Sequence, residues 1–200
     1  MTRFLLIRHG MTDLVDKAVS GWTPGVHLND EGRAQAAKLA ERLAGAEVKA
    51  IYSSPLERAR ETAEPISRRF GLEVQIVEEV GEIVLGEWTG RELSDLNNEP
   101  LWRRFNSLRS LTRAPGGETQ LETQARMIAA LERLRERHPS QTVAVVSHGD
   151  PIKSAIAYYA GIALDLFHRI EISVASVSVV TVGDYGPRIV CVNNTGFICR

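Results

Sequence analysis

Phe4-Leu5-Leu6-Ile7-Arg8-His9-Gly10 sets a short apolar run directly against a guanidinium, an imidazole and a glycine. Consecutive large apolar residues read as a strand buried on both faces, and charge at its end puts polar chemistry at the edge of a sheet. Gly10 lets the backbone turn there or approach a ligand closely. A second stretch has the same plan: Thr142 to Val146 is an uninterrupted β-rich apolar run, and Ser147-His148-Gly149 ends it.

Working outward, cap and turn residues divide the rest of the chain into alternating elements. Residues 11 to 28 hold Gly21, Pro24 and Gly25 without a clear period and read as a loop that leaves the first strand and can line a site at its end. Asn29 caps a predicted helix with Asp30 and Glu31 in its first turn, Ala36, Leu39, Ala40 and Leu43 on one face, and Gly45 after it. Val48 to Tyr52 reads as a strand. Ser54-Pro55-Leu56-Glu57 then predicts a helix with Ser54 as cap, Pro55 in the first helical position and Glu57 closing a capping box, which sets Arg58 in the first turn. Pro65 is a candidate kink in that helix.

A third strand is predicted over Glu73 to Val77, a helix from about Glu92 to Phe105, and a turn at Pro115-Gly116-Gly117. Thr119 and Glu122 form a capping box for a long amphipathic helix, with Leu121, Ala125, Ile128, Leu131 and Leu134 on or near one face. Asp150 is the expected cap of the next helix, with Pro151 at its first position. Val174 to Val182 and Arg188 to Val192 read as a hairpin around Gly183-Asp184-Tyr185-Gly186. This order predicts a three-layer α/β/α sandwich with a mostly parallel central sheet, in one domain spanning residues 1–200.

The bulk properties narrow the function. With 44% hydrophobic and 24% charged residues and a net charge of −1, the chain has no basic footprint for nucleic acid or an anionic membrane, so any anion site must be local. Cys191 and Cys199 show neither metal-type spacing nor a disulfide framework and read as incidental thiols in a reducing compartment. No apolar run approaches the ~20 residues a membrane helix needs, and the start does not read as a signal peptide. A cytoplasmic location is the expectation.

Arg8-His9, Ser53 to Arg58, Glu82 and Ser147-His148 all fall after predicted strand ends, the edge where ligands bind in open α/β sheets. Two guanidinium forks, two imidazoles and two helix N-termini suit phosphate. Arg8 alone would read as a strand-end ion pair, Arg58 as a solvated helix residue, and Glu82 as one carboxylate among Glu78, Glu79 and Glu87; it is the combination that points to a site. His9, His148, Glu82 and Asp150 are also metal-ligand types, but a divalent cation beside Arg8 and Arg58 would face two fixed positive charges.

Leu6-Ile7-Arg8-His9-Gly10-Met11-Thr12 resembles the signature of the histidine phosphatase superfamily, also called phosphoglycerate-mutase-like. Ser53 to Ala63 resembles its second-arginine segment, Glu82 to Gly90 its acid segment, Pro115-Gly116-Gly117-Glu118-Thr119 its mid-chain turn, and Ser147-His148-Gly149 its second histidine, so the similarity covers nearly the whole chain. The resemblance implies His9 as nucleophile, Arg8, Arg58 and His148 as phosphate ligands, Thr12 as a hydroxyl donor, Gly149 as a point of close backbone approach, and Glu82 as proton donor. It implies no metal and no cofactor.

The sequence departs from the family at Met11 and Val15, where members often carry polar residues, and at Asp150, read here as a helix cap. The length, short of the insertion and tail expected of the mutases, favours a phosphatase of the histidine acid phosphatase type. It would act on a small-molecule phosphate monoester and release inorganic phosphate. A phosphoglycerate-mutase-type transfer and a non-catalytic phosphate-ester binding module are the alternatives. Residues 90–117, with Trp102, Arg103, Arg104 and Arg113, are expected to cap the site and choose the leaving group. Candidate substrates are sugar phosphates, phosphoglycerates and ribazole phosphate; homodimerisation is left open.

Overall fold

The structure, a computed structural model, describes residues 1–196. Its first strand, β1 (Thr2–Arg8), carries the opening apolar run, with Phe4, Leu5, Leu6 and Ile7 all fully buried. Side chains alternate across a strand, so Phe4 and Leu6 enter one core and Leu5 and Ile7 the other. The same alternation runs through β4 (Thr142–Ser147) and, past a register shift between Val48 and Ala50, through β2 (Val48–Ser53), and both faces of the sheet are covered. On one face α1 (Asp30–Arg42) and α2 (Glu57–Phe70) bury Leu39, Ala40, Ala59, Ala63 and Ile66. On the other, α5 (Gln120–Arg137) and α6 (Gly149–Ala160) bury Met127, Leu131, Leu134, Ile152 and Ile156.

With β3 (Val74–Ile76), β5 (Val177–Gly183) and β6 (Gly186–Asn194) the sheet has six strands in the order β3-β2-β4-β1-β5-β6. β3, β2, β4 and β1 are mutually parallel, and β5 and β6 add antiparallel at one edge. This is the predicted α/β/α sandwich, closing hairpin included. Asn29 caps α1 through Gly32 N–H, and Thr119 and Glu122 form the full capping box of α5, as their spacing predicts.

Four local expectations are corrected. The capping box at Ser54 does not form: α2 begins at Glu57 with Leu56 as its cap, Ser54 Oγ turns to His148 instead, and the Glu57 carboxylate accepts from Gly25 N–H. Asp150 does not cap α6; His148 holds that position, and Asp150 lies in the first turn with its carboxylate on Arg109. The buried face of α5 is Gln120, Thr123, Met127, Ala130, Leu131 and Leu134, turned from the expected stripe, and Leu121 is half exposed. The helix expected over 92–105 is two, α3 (Leu93–Leu96) and α4 (Pro100–Ser107), because Pro100 cannot continue a helix and begins one. Pro65 is accommodated inside α2, which runs on to Gly71 at φ 64°.

The segment between β3 and α5 builds a small core of its own, in which Trp88 stands edge-on to Trp102 and Phe105 at 5.1 and 5.2 Å. Among the described residues no helix is long and apolar enough to cross a membrane. Cys191 is half-buried on β6, and Cys199 lies outside the described residues.

Candidate active site

The sheet register builds the centre. Arg8 of β1 lies opposite Ser147 of β4, so the residues that follow, His9 and His148, leave two adjacent strands side by side. Their rings stand 5.1 Å apart, close to the ~4.8 Å spacing of neighbouring strands. His9 is 4% exposed, and its Nδ1 lies 2.7 Å from the Gly10 carbonyl. A carbonyl only accepts, so Nδ1 carries the proton and Nε2 keeps its lone pair. Burial, then the charges of Arg58 and Arg8, push the His9 pKa well below its ordinary value, so the ring is neutral.

His148 is fully buried, and its Nε2 lies 2.8 Å from Ser54 Oγ. Burial and then Arg58 drive its pKa down as well, so it too is neutral. Arg58 enters from the first turn of α2, fully buried, and spends one Nη2 proton on the Gly21 carbonyl at 2.8 Å. Arg8 gives Nη1 to the Ile172 carbonyl at 2.6 Å. Arg58 Nε and Nη1, Arg8 Nε, His148 Nδ1 and Thr12 Oγ1 are buried without a hydrogen-bond partner.

Arg8, His9, Arg58 and Glu82 line one cavity of about 200 Å³, closed on other sides by the 15–21 loop, Leu85, Trp102, Arg109 and Asp150. A larger open groove of about 590 Å³ beside β3 and α5 holds none of the expected residues.

Glu82 is fixed by its backbone. Its carbonyl accepts from Trp22 Nε1 at 2.7 Å and from Arg126 Nη2 at 2.8 Å, and Arg126 also bonds the carbonyls of Glu79 and Gly81. Arg126 forms a two-point pair with Glu118, which in turn accepts from Val84 N–H. The Pro-Gly-Gly turn packs against the same segment so tightly that a Cβ on Gly117 would stand 2.2 Å from the Val84 carbonyl and one on Gly86 2.0 Å from that of Pro115. The Glu82 side chain, 17% exposed, sits 3.9 Å from His148 Nδ1. Burial, then the neighbouring Asp150 charge, push its pKa up to about 7 against the opposing pull of Arg58 and Arg8.

Arg8, His9, Arg58, Glu82 and His148 are thus brought together. Thr12 and His148 are buried outside the cavity lining, His148 with its ring against that of His9. A Cβ on Gly149 would stand 3.6 Å from Arg8 Nε, an ordinary contact, so no close approach to protein calls for glycine there. Of the four residues expected in the cap, only Trp102 lines the cavity; Arg103 and Arg104 are exposed, and Arg113 pairs with Glu122. Arg109, Arg126, Glu118 and Trp22 were not singled out from the sequence. Their spacing carries no motif, although Glu118 stands in the quoted Pro-Gly-Gly turn. Among the described residues no group of three or more His, Cys, Asp or Glu side chains is arranged to hold a metal ion.

Fold and cavity together define an α/β protein whose mostly parallel sheet presents two guanidinium groups and an imidazole to one small cavity at its carboxyl edge. The chain belongs to the histidine phosphatase superfamily, branch 1, whose family model matches residues 4–195. It is 31% identical over 190 residues to phosphoserine phosphatase 1 of Hydrogenobacter thermophilus, covering 90% of this chain and 86% of that one. It is 30% identical over 201 residues to the bifunctional protein Rv2228c of Mycobacterium tuberculosis; the match takes in 98% of this chain, which spans only 55% of that relative's length. A mutant phosphoserine phosphatase of Entamoeba histolytica, solved with phosphoserine, superposes with a TM-score of 0.87 at 26% identity over the whole of both chains.

Proposed function

We propose that the protein is a metal-independent phosphomonoester hydrolase that works through a phosphohistidine on His9. The observation that carries this reading is the set of buried, unpartnered donors, Arg58 Nε and Nη1 and Arg8 Nε, with the unpartnered His148 Nδ1 beside them, around an imidazole whose Nε2 is free to attack. Each unpaired buried donor costs about 1–3 kcal/mol, and the oxygens of a phosphoryl group would satisfy them together. The phosphoserine phosphatases among the relatives support a small phosphate ester as substrate.

In the first step the Nε2 lone pair forms a bond to phosphorus as the ester P–O bond breaks, and protonated Glu82 gives its proton to the departing alkoxide. In the second, the Glu82 carboxylate takes a proton from water, the hydroxide attacks phosphorus, and the P–N bond electrons return to His9. Inorganic phosphate leaves and both residues are restored. A pKa near 7 suits a group that must be acid and then base. Arg8 and Arg58 hold the transferring oxygens and offset charge on them, the main source of catalysis in phosphoryl transfer. His148 acts as a neutral donor in the tautomer that carries its proton on Nδ1, on the Glu82 side, in which Nε2 accepts from Ser54 Oγ. Residues 90–117 act as the cap through Trp102 and Arg109.

Hydrolysis of p-nitrophenyl phosphate in the presence of chelator tests the reading. Native protein turns over and forms an acid-labile phosphoryl-protein on rapid quench, and His9→Ala loses both, by about 1000-fold or more in rate. Turnover that persists in His9→Ala, or that needs an added metal, would overturn it.

A further inference from the structure

We infer that the substrate carries no second anionic group: its leaving group is compact, partly apolar, and uncharged or cationic. This rests on the hydrolase reading only for the phosphate end of the cavity. Beyond Arg8, His9 and Arg58, the wall has an apolar part, with Val15, Val19, Ile83, Leu85 and Trp102. Besides Glu82, its charged residues are Asp16, Asp150 and Arg109.

Arg109 is already engaged. Its Nη1 donates to Asp150 Oδ2 at 2.7 Å and Gln120 Oε1 at 2.8 Å, and its Nη2 to Asn106 Oδ1 at 2.8 Å. The guanidinium carbon lies 4.5 Å from the Phe105 ring centre and 4.7 Å from that of Phe167, and the residue is 5% exposed. Its Nε is buried without a hydrogen-bond partner, but its charge is already balanced by Asp150, for which it is a fixed counter-charge. Among the described residues no lysine or other arginine lines the cavity apart from Arg8 and Arg58. With Asp150 balanced by Arg109, the excess negative charge on that part of the wall is carried by Asp16, which is exposed to solvent.

A second phosphate or a carboxylate on the leaving group would lie beside Asp16 and Asp150, where the one cation, Arg109, is already paired with a carboxylate. A hydroxyl or an ammonium group meets no such penalty, and an apolar edge can lie on Trp102. The volume of about 200 Å³ leaves room for a short leaving group beside the phosphate.

Two matched pairs of esters isolate the carboxylate: glycerol 3-phosphate against 3-phosphoglycerate, and phosphoethanolamine against phosphoserine. Binding to His9→Ala by calorimetry and kcat/KM of the native enzyme should both favour the member without the carboxylate, by about tenfold or more in each pair. Asp150→Asn, which keeps an acceptor for Arg109, and Asp16→Asn should each narrow the gap by about threefold or more. Asparagine tolerates the positive φ of 61° at position 16, so that variant tests charge alone if Asp150→Asn fails to fold. Equal or tighter binding of the carboxylate member in either pair would overturn the inference. If no ester is turned over and yet the binding order holds, the hydrolase reading falls and the selectivity of the cavity stands.

Discussion

Glu82 offers the sharpest perturbation, because its role depends on a proton that its surroundings make it keep. Raised from 4.5 to about 7, the carboxyl is about half protonated at pH 7, where an ordinary one would be about 0.3% protonated, so the environment is worth roughly 150-fold in proton-loaded enzyme. That proton matters only for a leaving group that cannot depart as an anion. For an alkyl phosphate, kcat/KM should fall about fivefold between pH 7 and pH 8 and about tenfold per unit beyond, following loss of the acid form. For p-nitrophenyl phosphate, whose phenolate leaves unaided, the alkaline limb should be nearly flat. Glu82→Gln should cost the alkyl ester about 100-fold or more and the aryl ester less than about tenfold. His9 adds no limb near 6.5, since burial and Arg58 hold it neutral far below. Steady-state kcat/KM from pH 5 to 9 on both esters, with native and Glu82→Gln enzyme, reads all of this. Equal losses on the two esters, or an alkaline limb that survives in Glu82→Gln, would refute the assignment of Glu82 as the acid.

The same carboxyl should cost stability. An acid whose folded pKa is raised binds its proton more tightly folded than unfolded, so stability falls as pH rises from 4.5 to about 7 and stays lower above; Glu82→Gln should recover at most about 3 kcal/mol at pH 8 and nothing at pH 4, read as Tm. Arg126→Met strips the bonds to Glu118 and to the carbonyls of Glu79, Gly81 and Glu82, so denaturant unfolding should show a loss of about 2–4 kcal/mol, and kcat on alkyl esters should fall as the Glu82 backbone loosens. Gly117→Ala drives a Cβ against the Val84 carbonyl; about 2 kcal/mol or more of destabilisation is expected by the same measurement, and an unchanged midpoint would contradict the packing described.

Much of this site was legible in the chain because its parts are local. An apolar run that stops at Arg8-His9 and another that stops at Ser147-His148 state both the strand and what stands at its end. Residues that act through tertiary contact were not legible. Ser54 looks like a helix cap because Pro55 and Glu57 follow it, yet a buried imidazole 94 residues away is the partner its hydroxyl takes. Asp150 precedes a proline and suggested a cap in the same way, whereas the Arg109 guanidinium draws its carboxylate to the cavity wall. The buried face of α5 departs from its apolar stripe because Gln120 and Thr123 are polar and yet buried, satisfied by Ser154 and Glu118. The pKa of Glu82 could not be derived from sequence, since burial and Asp150 oppose Arg58 and Arg8 and only geometry sets the balance.

The order β3-β2-β4-β1 also governs when the protein can exist during its own synthesis. β1 and β2 never touch; β4 lies between them. A ribosome that has delivered residues 1–141 has made both of the outer partners and none of the strand that joins them, so their facing edges stay open while α5 is still emerging. Once Thr142–Ser147 has left the exit tunnel, it closes the gap from both sides at once. His148 follows directly on that strand, so the docking of β4 that joins β1 to β2 also makes the two imidazoles neighbours.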